Sequence, residues 1–180
     1  MTNSNKISRI PESTSLDKTY TQWHISFHTI VLLFLFSSII LQSCTTTTSP
    51  EQIVEDFITS CETSIEKGSG RELRNLIAEN YSDSSGRTKK EIGNLVSGYL
   101  LRNKAIYCYS LINSVKINED DSISARVLTA LAAKPITDIS ALPTLNSDIY
   151  WFDIKITSED AAWKLIDASW QQAMLDDFFK

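Results

Sequence analysis

Residues 30–41 are a run of Ile, Val, Leu and Phe broken only by Ser37 and Ser38, and the run stops at Leu41-Gln42-Ser43-Cys44, where a polar Thr/Ser stretch begins. This junction constrains the chain more than any other feature. The run is too short for a membrane-spanning helix, which needs about 20 apolar residues. It fits the apolar region of a secretory signal peptide, with a small residue next to the cut. Extending the stretch back to Trp23 would give an uncleaved anchor, but it then takes in His24, Ser26, His28 and Thr29. Residues 1–22 are polar, uneven in charge and expected to be disordered. Both histidines, His24 and His28, precede Cys44. A chain cut there has no histidine, which excludes a Ser-His-Asp triad, a Cys-His dyad and any His-bearing zinc site.

Leu41-Gln42-Ser43-Cys44 resembles the bacterial lipobox: leucine three places before the cysteine and a small residue directly before it. Gln42 departs from the small residue usual at the remaining place. The resemblance implies that the Cys44 thiol takes a diacylglyceryl thioether, that the peptide before it is removed, and that the new amine is acylated. Several chains on one residue anchor firmly, because each buried methylene contributes about 0.8 kcal/mol. Thr45, where an aspartate would hold the protein at the inner membrane, implies sorting to the outer membrane, facing the periplasm. The expected organisation is a signal peptide with a polar extension over 1–43, a lipidated cysteine and tether over 44–49, and one domain over 50–180.

The full chain of 180 residues is 42% hydrophobic and 22% charged with a net charge of −5, an ordinary globular composition. The leader carries Lys6, Arg9 and Lys18 against Glu12 and Asp17, so the remainder is more acidic than the whole. No basic stripe stands out, which argues against a nucleic-acid partner. There is no Cys-x-x-Cys, no metal-ligand spacing and no Gly-rich phosphate loop, so neither metal nor cofactor is expected.

After Cys44, Ser49-Pro50-Glu51-Gln52 reads as a helix start, with Ser49 as cap, Pro50 at the first position and Gln52 at capping-box spacing. Ile53, Phe57, Ile58, Cys61 and Ile65 follow at helical spacing, and Lys67-Gly68-Ser69-Gly70 ends the helix. A second helix is predicted over 71–79, with Leu73, Leu76 and Ile77 inward. A polar loop over 80–86 holds Tyr81 and Asp83. A third helix is predicted over 88–103, its stripe made by Ile92, Leu95, Val96, Tyr99 and Leu100. From Ala105 the period changes to alternation, predicting strands over 106–117, 122–132, 149–156 and 162–170, with turns at 118–121 and 157–160 and a loop over 135–148. The tail, with Met174, Leu175, Phe178 and Phe179, suits a short helix. Three helices before a four-stranded meander is an α+β pattern. The helices need a sheet to cover, and a strongly curved antiparallel sheet wrapped around them leaves a cone-shaped cavity.

This order, and the final hairpin above all, resembles the nuclear transport factor 2-like superfamily, the cone fold shared with ketosteroid isomerase-like proteins. The resemblance rests on Tyr150-Trp151-Phe152-Asp153-Ile154-Lys155, the turn Ser158-Glu159-Asp160, and Trp163-Lys164-Leu165-Ile166-Asp167-Ala168-Ser169-Trp170, together with the Ser49-Pro50 helix start and Leu76-Ile77 followed by Tyr81. It covers about residues 50–172. Proteins of this fold range from enzymes to binding, scaffold and transport modules, so the resemblance implies a fold and not an activity.

An isomerase or dehydratase in such a cone would need a carboxylate base in an apolar pocket and an oxyanion donor. The candidates are Tyr81, Asp83, Tyr107, Tyr109, Asp153 and Asp167. Asp153 shares a strand face with Lys155, which suggests solvent. Asp167 alternates with Trp163 and Leu165 and is the best single candidate for a carboxylate facing the interior or the cavity, but a strand carboxylate paired with Arg126 or a tyrosine is the favoured reading. Tyr107, Tyr109 and Trp163 are candidates for pocket lining, with ordinary core packing the favoured reading for the two tyrosines. Cys61 and Cys108 could pair in an oxidising periplasm, or be two small buried residues. The leading expectation is a non-enzymatic binding domain for a small apolar ligand or a protein partner. An isomerase or dehydratase, and a structural lipoprotein associating as a homodimer through its sheet, are the alternatives.

Overall fold

The computed structural model describes residues 48–103 and 105–180. Cys44, the apolar run before it and the histidines lie outside the described residues. Helix α1 (Pro50–Glu66) starts as the sequence predicts: the Ser49 hydroxyl accepts from the Gln52 amide at 3.2 Å, and Pro50 takes the first turn, where no amide hydrogen is needed. Its end is a Schellman motif. The amides of Gly68 and Ser69 donate to the carbonyls of Ile65 and Ser64, with Gly68 at φ +65°.

Helix α2 (Gly70–Asn75) is shorter than the predicted 71–79. Residues with helical spacing at Leu76 and Ile77 are instead recruited by the sheet: the Leu165 amide donates to the Leu76 carbonyl at 2.8 Å, and the Ala78 amide donates to the Leu165 carbonyl at 2.9 Å. A free strand edge offering its own amides and carbonyls outcompetes one more helical turn. Helix α3 (Lys89–Arg102) is opened by Glu91, whose carboxylate accepts from the Thr88 amide and hydroxyl, both at 2.8 Å.

Four antiparallel strands follow in sequence order: β1 (Tyr107–Ile117), β2 (Ile123–Ala132), β3 (Asp148–Glu159) and β4 (Ala162–Gln172). The last hairpin is longer than predicted. β3 runs to Glu159, and only Asp160 and Ala161 make the turn, at φ +53° and +61°. Two left-handed residues match the twist of a hairpin, which lets the strands pair to their ends. The segment predicted as loop over 135–148 contains a 3-10 turn, Ile139–Thr144, and the tail ends in another, Leu175–Phe179.

Register slips by one residue at two places: at Asn113 in β1, and at Ile166 in β4, opposite Lys155 and Ile156. Such bulges bend a strand and increase its twist, as a sheet curling around helices requires. They also change which residues face inward. In β1 the inner face passes from Cys108 and Ser110 to Val115, and in β4 from Trp163 and Leu165 to Ala168 and Trp170.

Two cores result. On the concave side, Val54, Phe57, Ile77, Tyr81 and Ile92 pack onto Ile123, Ala125, Val127, Ile154, Ile156 and Ala168. On the convex side, Leu128, Ala130 and Ile149 are covered by Leu142 and Phe178 from the two 3-10 turns. The architecture is the expected α+β cone, with three helices on a curved four-stranded antiparallel sheet.

Candidate functional site

The concave core is not filled. Between α1, α3 and the sheet lies a cavity of about 340 Å³ that opens to solvent. Helix α1 contributes Phe57, Ile58, Cys61, Glu62 and Ile65, and α3 contributes Ile92, Leu95, Val96, Tyr99 and Leu100. The sheet forms the floor, in rows that follow from strand register. Ser110, Thr129 and Tyr150 stand side by side across β1, β2 and β3, and the next row is Val127, Phe152 and Trp170. Among the described residues lining the cavity, Glu62 is the only one with an ionisable carboxyl, and none is Lys, Arg or His.

Glu62 is the residue that sequence reasoning missed. It lies four places after Ile58 and three before Ile65, so helical spacing alone puts it on the apolar stripe of α1. Burial pushes its carboxyl above the ordinary value, hydrogen bonding from Ser110 draws it part of the way back, and the Glu66 charge pushes it up again. Its Oε1 is buried and has no hydrogen-bond partner among the described residues. The Ser110 and Thr129 hydroxyls are 3.0 Å apart. Burial likewise raises Tyr99, with Asp148 and Tyr150 close enough to add to the effect.

The structure places the sequence candidates elsewhere, apart from the two cysteines. Asp167 is exposed on the outer face: the bulge at Ile166 breaks the alternation that would have put it beside Trp163 and Leu165. Arg126 does not meet Asp167. It lies 3.7 Å from Asp153 and stacks 4.8 Å over Trp151 on the same convex face. Asp83 is buried but away from the cavity lining, where its carboxylate serves a loop. The Ser85 and Arg87 amides donate to Oδ1 at 2.9 and 3.0 Å, while Arg87 Nε and the Tyr81 hydroxyl donate to Oδ2 at 2.7 and 3.2 Å. Burial raises Asp83, but these donors outweigh it and hold the carboxyl below its ordinary value. Tyr81 is correspondingly raised, by burial first and then by the Asp83 charge. A saturated, ionised carboxylate of this kind is a structural pin with no lone pair left for a substrate proton.

Tyr107 and Tyr109 share a face of β1, but it is the face opposite Cys108 and Ser110. Tyr109 packs on the convex core, its ring 6.1 Å from that of Phe178. Trp163 packs against the concave core and does not line the cavity; Trp170 lines it instead, with the Arg87 guanidinium 4.4 Å over its ring. Cys61 and Cys108 both line the cavity as free thiols. Burial pushes each up to about 12, so neither is a ready nucleophile near neutral pH. Among the described residues, no three His, Cys, Asp or Glu side chains converge as a metal-holding group.

The cone geometry is shared with solved structures. A scytalone dehydratase candidate from Novosphingobium aromaticivorans superposes with TM-score 0.55 at 12% identity, over 69% of this chain and 84% of that one. A domain of unknown function with a cystatin-like fold from Nostoc punctiforme gives 0.52 at 16% identity, over 74% and 85%. A protein of unknown function from Silicibacter pomeroyi, described as like nuclear transport factor 2, gives 0.51 at 10% identity, over 72% and 100%. No family model matches the sequence, and no curated protein matches it. The described residues share the cone-shaped α+β fold of these structures, which include a dehydratase candidate and proteins of unknown function.

Proposed function

We propose that this is an envelope lipoprotein whose cone holds a small, largely apolar ligand. The observation that carries the reading is the open cavity of about 340 Å³, lined by aliphatic and aromatic side chains with one carboxyl among them. A site of that size and lining, with few polar groups, is the usual form of a small-molecule pocket. The convex face argues less for association through the sheet. One part of it is covered by Leu142 and Phe178, and Arg126, Asp153, Lys155 and Asp167 point outward from the rest.

The ligand reading is tested with the full-length chain carrying Cys44→Ser, analysed by native mass spectrometry for a co-purified molecule. Ala168 lies on the cavity floor, so Ala168→Phe fills the space from the sheet side. The expected result is a bound mass in Cys44→Ser protein that is lost when Ala168→Phe is added. A mass retained at equal occupancy in the filled variant would place the ligand outside the cone.

The location is a separate part of the proposal, resting on Leu41-Gln42-Ser43-Cys44 and Thr45. Cells grown with labelled palmitate are expected to incorporate label into the wild-type chain, recovered with the outer membrane, and none into Cys44→Ser. Equal labelling of the two, or labelling of neither, removes the lipid anchor.

A second reading, an isomerase or dehydratase, is favoured by one observation. Glu62 is a partly buried carboxyl with raised proton affinity, and Ser110, Tyr99 and Tyr150 line the same cavity. In that reading Glu62, not Asp83 or Asp167, would be the acid–base group, since geometry must precede any argument from proton affinity.

A further inference from the structure

The rows of the cavity floor differ in chemistry. Val127, Phe152 and Trp170 form an apolar row, whereas Ser110, Thr129 and Tyr150 form a band of hydroxyls across three strands. Two of these hydroxyls satisfy one another at 3.0 Å. Glu62 lines the same cavity from α1, and it brings the one buried side-chain oxygen that lacks a partner among the described residues. A buried acceptor without a donor is costly and calls for a physical explanation. Here the missing donor is a group on a guest.

The charges around the cavity define what kind of guest. No Lys, Arg or His lines it among the described residues. Arg87, which packs on Trp170, is engaged by Asp83 at 2.7 Å. Glu66, one turn beyond Glu62, adds a second acid near the band and accepts from the Cys108 amide at 3.4 Å. An anionic head group would therefore be buried beside acids with no counter-ion, the arrangement that desolvation penalises most. A hydroxyl head group would instead donate to Glu62 Oε1 and accept from the Ser110–Thr129 pair. An ammonium donates but has no lone pair to accept with, so only the hydroxyl matches both sides of the band.

Resting on the ligand-binding reading above, we propose that the cavity selects uncharged amphiphiles bearing a single hydroxyl, held at the Glu62–Ser110–Thr129 band, and rejects anionic amphiphiles of the same length. The selectivity comes from the band and the apolar rows beside it together. Tail burial supplies most of the affinity, and the head group decides between ligands of equal tail.

The test uses full-length Cys44→Ser protein and three probes with one tail: decanol, decanoate and decylammonium. Binding is read near neutral pH by displacement of an environment-sensitive apolar dye. Decanol is expected to bind at least about tenfold more tightly than decanoate, the scale of one charge-assisted hydrogen bond gained against one unpaired charge buried. Glu62→Leu should weaken decanol about tenfold and leave an unsubstituted alkane unchanged. Thr129→Val, which keeps the shape of the floor, should weaken decanol by a smaller factor. Decanoate or decylammonium binding as tightly as decanol would overturn the inference, as would decanol affinity indifferent to Glu62→Leu. If none of the three displaces the dye, the ligand-binding reading itself fails, and this inference with it.

Discussion

Ile156→Ala is expected to lower the stability of the domain by about 2–5 kcal/mol, a large share of the roughly 5–15 kcal/mol typical of a single domain. Ile156 has no exposed surface. It sits in β3 between Ile123 of β2 and Leu165 of β4, under the residues that α1 and the 76–81 segment lay on the sheet. Trimming it removes three carbons from a place where the surroundings cannot close in, because its neighbours are fixed by backbone ladders on both sides. The upper part of the range applies for that reason: the transfer term and the void term both remain. Ile117→Ala is the control, with the same residue type at 56% exposure on β1 and an expected change within about 0.5 kcal/mol. Urea titration should move the midpoint for Ile156→Ala with little change in slope. Equal costs for the two substitutions would mean that the concave core is not where the stability lies.

The same stretch of β3 shows why the fold was legible and part of the site was not. Tyr150, Phe152 and Ile154 alternate without interruption, and all three line the cavity as period-two reading expects. The helix start at Ser49-Pro50, the order of elements and the antiparallel meander were equally open to reading, because capping chemistry and hydrophobic period are local properties. Facing was not local. A bulge inserts one residue, and from that point every later side chain changes face. Nothing in Leu165-Ile166-Asp167-Ala168 marks Ile166 as the inserted residue, so alternation carried Asp167 to the wrong side. In β1 the period correctly put Tyr107 and Tyr109 on one face, but both faces of that strand meet apolar groups. Only the position of the C-terminal turn, which brings Phe178 to Tyr109, decides which face is which. The second helix failed for a related reason: Leu76 and Ile77 have helical spacing, and a strand edge far along the chain claims their backbone.

Glu62 was legible by spacing and was overlooked by type. A carboxylate is not expected on an apolar stripe, so a helix reading that looks for Ile, Phe and Cys passes over it. The surprise of finding it there is the argument for its role, since buried polar groups without partners are rare.

Removing the Glu62 carboxyl should accordingly make the empty protein more stable. Glu62→Leu is expected to raise stability at neutral pH by about 1 kcal/mol, the low end of the roughly 1–3 kcal/mol that an unsatisfied buried polar group costs. The low end applies because the side chain is only partly buried and solvent screens what remains. The pH dependence separates this from a simple gain in apolar burial. With its proton affinity raised by burial, the folded wild type holds the Glu62 proton over a range where the unfolded chain has released it. Its stability therefore falls as pH rises from the ordinary carboxyl value of 4.5 through the folded value, and stays lower above it. Glu62→Leu lacks that loss, so its advantage should be smallest in acid, grow across the same window, and then level off. Thermal melts at closely spaced pH values test this. An advantage independent of pH would mean that the carboxyl is not differently protonated in the folded state. An advantage that shrank as pH rose would mean the anion is stabilised in the cavity, and a cation would then have to be sought beside it. The expected pattern is that of a residue kept at the expense of the empty fold, whose deficit is made good only when a donor enters the cone.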